Sequence, residues 1–257
     1  MIDLHTHLLP GIDDGPEDLS GSVAVAREAA QNGVTALAAT PHVRDDYPTT
    51  AASMTAALEA VRKALRDAGV AIEALPGAEI SFDWLARLDQ QELRAFGLGG
   101  SASHLLVEMP VFGWPLNAKE EIRRMREAGF TTVLAHPERN VVVQASTQRL
   151  LELVRDGALV QVTAGSLLGN FGGAAKRAAR ALLAADLVHL LATDTHSAPG
   201  RGAALLPALE TLNDPALSRW LTFDVPQAII EGAPCPRRPS AQRNWWRRRS
   251  GRRIGLP

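Results

Sequence analysis

Short apolar segments alternate with amphipathic segments along most of the chain. The apolar segments have the length of buried β-strands, and the segments between them have helical periodicity. Seven strands are predicted, at Ile2–His5, Thr35–Thr40, Ala71–Leu75, Leu105–Met109, Thr131–Ala135, Leu159–Thr163 and Val188–Thr193. This alternation is typical of βα units that wind a mostly parallel sheet or barrel, so we predict an α/β fold.

Two helices show the amphipathic pattern most clearly. Pro16 suits the first position of one helix, and Gly33 suits its end. A second helix is predicted from Asn117, with Glu120 placed for a capping box and Gly129 at the end. Each helix separates two predicted strands, as a βα unit requires.

Histidines and acidic residues follow the predicted strands at the point where each strand ends. These residues are His5 and His7, then Asp13 and Asp14 in the loop after the first strand, and further along the chain His42, Glu79, Glu108, His136, Asp194 and His196. The carboxyl ends of barrel strands meet at one edge, where active sites are assembled. Imidazole and carboxylate ligands without cysteine suit Mn, Zn or Fe. The sequence therefore predicts a metal site that assists hydrolysis.

Each of these residues taken alone has a structural alternative. A single His-x-His pair is frequent by chance, and one acidic residue at a strand end can cap a turn or lie in solvent. Five of the seven histidines at successive strand ends form a more specific pattern. His104 and His189 lie early in predicted strands, so we expect them to be structural histidines that bind no metal.

The residues at the strand ends resemble the PHP (polymerase and histidinol phosphatase) superfamily. The resemblance rests on DLHTHLLPGIDDG at 3–15, ATPH at 39–42, GAEI at 77–80, LVEM at 106–109, LAHPER at 134–139 and TDTH at 193–196. Their order and spacing are most similar to the capsule and exopolysaccharide protein-tyrosine phosphatases of the CpsB/YwqE type. The resemblance covers roughly residues 1–210.

This resemblance implies a distorted (β/α)7 barrel that holds three divalent ions at the strand carboxyl ends. The implied ligand sets are His5, His7, Glu79 and Asp194 for the first ion, Glu79, Glu108 and His136 for the second, and Asp14, His42 and His196 for the third. Manganese is the implied metal, and Fe, Zn and Mg are alternatives that the same ligand types would bind.

The implied reaction is hydrolysis of a phosphomonoester by a hydroxide that bridges two ions about 3.5–4 Å apart. Arg139 and Arg201 match phosphate-binding arginines by position, although each has a surface arginine as its alternative. The sequence does not decide what protonates the leaving group: metal-bound water, Asp13 or no donor at all. Cys235 is not expected to be a nucleophile, because Ala241 stands where a Cys-x5-Arg motif needs arginine.

The end of the chain differs in charge from the rest. Eight of the 27 basic residues lie at 237–257, whereas all 28 acidic residues precede them. We predict a PHP domain at 1–236 and a disordered Arg-rich tail at 237–257, where Trp245 and Trp246 lie among arginines. The tail suits an anionic membrane surface, and a solvated tail without a role is the alternative. Nucleic acid is not the expected partner. The absence of a leader and the lone cysteine predict a cytoplasmic protein, and the tail adds the hypothesis of a membrane-peripheral one.

Three functions stay open at this point. The favoured one is a protein-tyrosine phosphatase that acts on the phosphorylated tail of a bacterial tyrosine kinase controlling polysaccharide synthesis. The alternatives are a small-molecule phosphatase of the histidinol-phosphate type and a non-catalytic, metal-bound regulator. On the side of the predicted site, the longest connection is expected at 43–50. Because even this connection is short, the sequence favours an open site that admits a peptide.

Overall fold

The structure, a computed structural model, describes residues 1–199 and 205–240. The strands in this part of the chain are β1 Ile2–Thr6, β2 Ala36–Ala39, β3 His42–Arg44, β4 Tyr47–Pro48, β5 Glu73–Leu75, β6 Glu79–Ser81, β7 His104–Glu108, β8 Thr131–Ala135, β9 Leu159–Thr163 and β10 Leu190–Ala192. The α-helices are α1 Leu19–Gln31, α2 Ala51–Asp67, α3 Gln90–Ala95, α4 Ala118–Glu127, α5 Val141–Ala145, α6 Gln148–Arg155, α7 Ala164–Leu168, α8 Gly172–Ala184, α9 Leu205–Leu212, α10 Pro215–Arg219 and α11 Val225–Ile230. Short 3-10 helices lie at Phe82–Trp84, Leu98–Gly100 and Pro137–Arg139, and a π-helix lies at Trp220–Asp224.

The strands form two sheets. One has the order β1-β2-β5, and the other has the order β10-β9-β8-β7-β6-β3-β4. All neighbouring strands pair in parallel except β3 and β4, which form an antiparallel hairpin. Residues 43–50, predicted as a plain connection, therefore contain this hairpin. The longest described connection on the carboxyl side runs from β1 to α1. The prediction that 43–50 is the longest connection on this side is therefore wrong.

Two bends divide what would otherwise be continuous strands. Thr40 and Pro41 separate β2 from β3, and residues 76–78 separate β5 from β6. Proline has no N–H to donate to a sheet, so each strand is interrupted at its proline. A Cβ atom on Gly77 would lie 3.1 Å from the Thr40 methyl carbon, so glycine allows the two bends to pack closely.

Hydrogen bonds between the first and last strands join the two sheets on their other side. The Asp194 N–H donates to the His5 carbonyl and the His7 N–H donates to the Thr195 carbonyl, each over 2.8 Å. With β2–β3 and β5–β6 each counted as one bent strand, seven strands lie around a ring with helices outside it. The predicted α/β barrel fold is confirmed, with the distortion located at the bends.

Two details of the predicted helices are wrong. Helix α1 begins at Leu19 and not at Pro16, because the Asp18 carboxylate caps it by accepting the Gly21 N–H over 2.9 Å. Asn117 makes no side-chain cap bond, so the predicted capping box with Glu120 is absent. None of the helices in residues 1–199 and 205–240 is both long and apolar enough to span a bilayer.

The last described segment of the chain packs against the amino ends of the strands. The Trp220 indole N–H donates to the Pro236 carbonyl over 3.1 Å, and the Arg238 guanidinium donates to the Val188 carbonyl over 2.7 Å. Val188 precedes β10, so the tail begins on the edge opposite the strand carboxyl ends. The rest of the predicted tail, 241–257, lies outside the described residues, and the domain boundary at 236 stays a prediction.

Candidate metal centre

The structure brings the predicted ligands together at the carboxyl ends of the strands. The nine residues are His5 in β1, His7 just after it, Asp14 in the following loop, His42 and Glu79 at the starts of β3 and β6, Glu108 at the end of β7, His136 after β8, and Asp194 and His196 after β10. The two bends matter here, because they place β3 and β6 at the same edge as the ends of the other strands. The residues fall into three overlapping groups.

The first group is completely buried. The His5 Nε2 atom lies 3.2 Å from Glu79 Oε2 and 3.3 Å from Asp194 Oδ1. The His7 Nε2 atom lies 3.4 and 3.3 Å from the same two oxygens. Four donor atoms from three strands thus face a common point, and this set is the one implied for the first ion.

Glu79 belongs to a second group as well. Its Oε1 atom lies 2.8 Å from His136 Nε2, and its Oε2 atom lies 3.1 Å from His42 Nδ1. Glu108 Oε2 lies 3.8 Å from the same His42 nitrogen. His42 therefore borders this group in addition to the third one, to which the resemblance assigns it. Glu79 lies between two groups, as a bridging carboxylate would.

The third group opens to solvent through Asp14, whose side chain is 45% exposed. Asp14 Oδ1 lies 3.4 Å from His196 Nε2, 3.6 Å from His42 Nε2 and 3.9 Å from His7 Nδ1. The His7 and His196 rings stack with centroids 3.9 Å apart. This group forms the mouth of the cluster.

Several buried polar atoms of the cluster have no hydrogen-bond partner among the described residues, and they show whether the cluster fits cations. His5 Nε2, His7 Nε2, His42 Nδ1 and Glu79 Oε2 are buried and have no hydrogen-bond partner among the described residues. Leaving such atoms unpaired is costly, and a cation at their meeting point removes the cost by accepting their lone pairs. The donor set therefore fits divalent metal ions.

The charges around the cluster shift the pKa values of its ligands in both directions. Burial alone would raise the pKa of Glu79, but His5 and the hydrogen bond from His136 outweigh it and hold that pKa well below its usual range. Burial and the neighbouring His7 lower the pKa of His196 to about 4. Burial lowers the pKa of His5 and His7, but the neighbouring carboxylates outweigh it and raise both pKa values above the usual one. A carboxylate and a neutral imidazole are the forms that bind a metal ion, so a cation that enters the cluster displaces protons from these two histidines.

Two of the predicted ligands have a left-handed backbone. The φ angle is +31° at His136 and +53° at Asp194. Residues other than glycine adopt this backbone conformation at a cost of about 1–3 kcal/mol, and such residues cluster at functional sites. The surrounding strands hold both residues in this conformation.

Gln161 in β9 was missed by the sequence analysis. Its side-chain Oε1 atom accepts the His136 backbone N–H over 3.0 Å and lies 3.1 Å from His5 Nδ1. A backbone N–H can only donate, so the Gln161 atom is the carbonyl oxygen, and His5 must therefore carry its proton on Nδ1. The Nε2 lone pair of His5 is left facing the cluster.

Asp13 orients the His7 ring, as Gln161 orients the His5 ring. Its carboxylate lies 2.7 Å from His7 Nδ1 and accepts the backbone N–H groups of Gly15 and His42. Burial raises the pKa of Asp13, but these hydrogen bonds lower it more, so its net pKa is below the usual value. The geometry favours an orienting role, and the role of Asp13 as proton donor stays a prediction.

Arg139 lies at the edge of the cluster with its side chain 18% exposed. It pairs with Asp194, donates to the Thr163 hydroxyl over 3.0 Å and stacks over the Phe171 ring with 3.8 Å to the centroid. Arg201, the other predicted phosphate-binding residue, lies outside the described residues. Arg44 was not predicted, and its Nη1 atom lies 3.4 Å from Glu108 Oε2 at the mouth.

His104 and His189 lie outside the three groups, and that they bind no metal stays a prediction. His104 Nδ1 lies 3.0 Å from the Ser101 hydroxyl, and His189 Nδ1 accepts the Val160 N–H over 3.1 Å. Cys235 is also remote, because it precedes the tail segment that packs on the opposite edge. Burial raises the pKa of its thiol to about 11, which makes it a poor nucleophile.

Comparison with known proteins agrees with this fold and site. Residues 1–229 match the family described as "Capsular polysaccharide synthesis, CpsB/CapC". The tyrosine-protein phosphatase YwqE of Bacillus subtilis is 33% identical over 213 residues, which cover 82% of this chain and 84% of YwqE. The tyrosine-protein phosphatase CpsB of Streptococcus pneumoniae is 26% identical over 209 residues, covering 78% of this chain and 85% of CpsB.

A solved structure extends the comparison. It belongs to the crystal structures of YwqE from Bacillus subtilis and CpsB from Streptococcus pneumoniae, described as metal-dependent tyrosine phosphatases. Its TM-score is 0.83 at 31% identity, and the match covers 93% of this chain and 98% of the other. The fold and the cluster thus define a barrel protein of the metal-dependent hydrolase class. The chain belongs to the CpsB/CapC family, which confirms the resemblance found in the sequence.

Proposed function

We propose that this protein is a metal-dependent protein-tyrosine phosphatase that acts on a bacterial tyrosine kinase in capsular or exopolysaccharide synthesis. The observation that carries the proposal is the convergence of unpartnered buried atoms from His5, His7, His42 and Glu79 at one edge of the barrel. Membership of the CpsB/CapC family supports the substrate class, because several relatives are named tyrosine-protein phosphatases.

The nine residues at the strand ends are predicted to hold three ions. Manganese is the metal expected in the cell. Divalent ions bound there would polarise the phosphoryl oxygens and lower the pKa of a bound water molecule. Gln161 and Asp13 orient His5 and His7 so that each presents its Nε2 lone pair to the cluster. The ligand types also suit Fe, Zn or Mg, so metal analysis of the purified protein is needed to identify the ion.

Arg139 has the position of a phosphate-binding residue. Its guanidinium lies beside Asp194 and is partly exposed, so it can donate to phosphoryl oxygens that enter the cluster. Cys235 is distant from these residues and its thiol has a raised pKa, which leaves water as the nucleophile. Phosphoryl transfer to water then depends on positioning and on charge stabilisation at the cluster.

The test compares hydrolysis of a phosphotyrosine peptide and of histidinol phosphate by Mn²⁺-loaded protein. We expect faster turnover of the peptide, a loss of at least about 100-fold in His136→Ala, and unchanged rates in Cys235→Ser. A preference for histidinol phosphate would assign the protein to the small-molecule phosphatases. No turnover of either substrate despite bound metal would indicate a regulator.

The Arg-rich tail is proposed to hold the protein near an anionic membrane surface. Six of its arginines and both of its tryptophans lie at 241–257, beyond the described residues. Arg238 fixes the start of the tail on the barrel edge opposite the cluster. Binding there would leave the cluster free to receive a substrate.

A further inference from the structure

Exposed apolar side chains collect beside the metal cluster. Among the described residues, seven large apolar side chains are exposed, and four of them lie on the loop at 110–117 and at the start of α5. These four form what we call the apolar rim: Val111 (42% exposed), Phe112 (79%), Leu116 (97%) and Val141 (40%). Such a concentration of exposed apolar side chains on two adjoining segments indicates an interaction site.

Each of the two segments that form the rim is close in sequence to a residue at the cluster. The 110–117 loop follows β7, whose last residue is Glu108, and Val141 comes two residues after Arg139. The Val141 N–H donates to the Val111 carbonyl over 3.0 Å, so the two segments lie against each other. A ligand whose phosphate lies at the cluster between Glu108 and Arg139 is therefore next to the rim.

Asn140 holds the rim in a defined conformation. Its buried side-chain amide donates to the Pro110 carbonyl over 2.7 Å and to the Gly113 carbonyl over 2.8 Å. Its oxygen accepts the Val142 and Val143 N–H groups at the start of α5. The rim is thus preorganised, which lowers the entropy cost of binding.

We infer that the apolar rim binds the polypeptide on either side of the phosphotyrosine and selects substrates with apolar residues next to it. This inference rests on the proposed tyrosine phosphatase function. Phe112 and Leu116 are the most exposed residues of the rim, and both belong to the loop that follows β7 and its last residue, Glu108. A substrate that covers them while its phosphoryl group lies at the cluster has to extend beyond that group. A polypeptide has that length, and its apolar side chains gain by burial against Phe112 and Leu116.

The experiment uses Mn²⁺-loaded full-length protein and two phosphotyrosine nonapeptides, one with leucine and valine and one with serine flanking the phosphotyrosine. Wild type should show a kcat/KM about tenfold higher for the apolar peptide, roughly the gain from burying one apolar side chain. In the double variant Phe112→Ser/Leu116→Ser this ratio should fall close to one. Para-nitrophenyl phosphate, which is too short to cover the rim, measures whether the metal site is active in each protein.

A matched control removes exposed apolar surface elsewhere. Phe223 is 37% exposed and lies in the π-helix with Trp220, which contacts the tail segment on the opposite edge. Phe223→Ser should keep the tenfold ratio. An equal ratio in wild type and the double variant, with para-nitrophenyl phosphate hydrolysed, would overturn the inference and leave the phosphatase function standing. No hydrolysis of any aryl phosphate by wild type would instead contradict the proposed function.

Self-association is the competing use of the rim. Sedimentation velocity of wild type and of Phe112→Ser/Leu116→Ser should give a monomer for both proteins. A wild-type dimer that the double variant dissociates would assign the rim to a second copy of the chain and overturn the inference.

Discussion

Gln161 shows how one buried side chain can organise ligands from two strands. Its carbonyl oxygen accepts hydrogen bonds from the His5 ring and from the backbone of His136, which has an unfavourable φ of +31°. His5 belongs to the first group and His136 contacts Glu79 on its other side. Loss of this oxygen would therefore disturb ligands of two predicted ions together.

We predict that Gln161→Leu lowers the affinity for Mn²⁺ about 10–100-fold, the usual effect of removing a residue that orients metal ligands. Competition with a fluorescent chelator measures the affinity without relying on catalysis. Gln161→Glu keeps an acceptor oxygen in the same place and should retain more affinity than Gln161→Leu.

The structural histidine His104 provides the comparison for this prediction. His104→Gln changes a buried residue in β7 that makes its hydrogen bonds with Ser101 and Ser103. Its Mn²⁺ affinity should equal that of wild type. Equal affinities for Gln161→Leu and wild type would mean that Gln161 has no part in metal binding.

The sequence indicates the ligands and Asp13, for which it suggests proton donation, but it does not indicate Gln161. Histidines and acidic residues at strand ends are recognisable because the topology of a βα barrel brings those ends together. Gln161 lies inside β9 and Arg44 ends the short strand β3, and a polar residue at either position has no distinctive pattern. The contact between Gln161 and His5 joins residues 156 positions apart, and only the folded chain reveals it.

Among the secondary structure elements, the uninterrupted strands were the most predictable. Strands β8 and β9 have the predicted bounds, because each is rich in β-branched residues and is buried along nearly all of its length. Strands β3 and β6 were missed, because each has three residues and follows a proline that suggests the end of a strand. These short strands carry His42 and Glu79, so the missed elements are the ones that complete the site.

His189 couples the folding of β10 to pH. Burial and the neighbouring Arg238 lower its pKa to about 4, whereas an unfolded histidine titrates near 6.5. Between these values the unfolded chain binds a proton that the folded chain does not. The free energy of unfolding should therefore fall as the pH drops from 6.5 towards 4, by up to roughly 3 kcal/mol from this residue.

Urea unfolding at pH 5 and pH 7 tests this linkage. His189→Gln keeps an acceptor for the Val160 N–H but cannot take up a proton, so its loss of stability at pH 5 should be smaller than that of wild type. Arg238→Gln removes the repelling charge and should also reduce the loss. The same pH dependence in wild type and His189→Gln would show that other groups cause it.

For the molecule as a whole, the cluster and the described start of the tail, residues 237–240, lie at opposite ends of the barrel. The predicted ligands lie at the strand carboxyl ends, while Arg238 and Pro236 contact residues near the amino end of β10 and in the π-helix. The family match ends at residue 229 and does not include the tail. Its charge was visible in the sequence, but the position of its starting point required the fold.

Removal of the tail should separate membrane binding from catalysis. A chain that ends at Ser240 keeps Arg238 but loses six arginines, each worth about 1 kcal/mol near an anionic surface. Full-length protein should co-sediment with phosphatidylserine vesicles at low salt, and the shortened chain should not. Both should hydrolyse the phosphotyrosine peptide at equal rates, because the tail starts on the edge opposite the cluster.

Salt and lipid charge distinguish an electrostatic attachment from other causes. Binding of the full chain should weaken as ionic strength rises and should be absent with neutral phosphatidylcholine vesicles, since screening shortens the reach of the arginine charges. Equal vesicle binding by both chains would place the membrane contact elsewhere on the molecule. Slower peptide hydrolysis by the shortened chain would mean that the tail reaches around the barrel to the cluster, which its starting point on the opposite edge argues against.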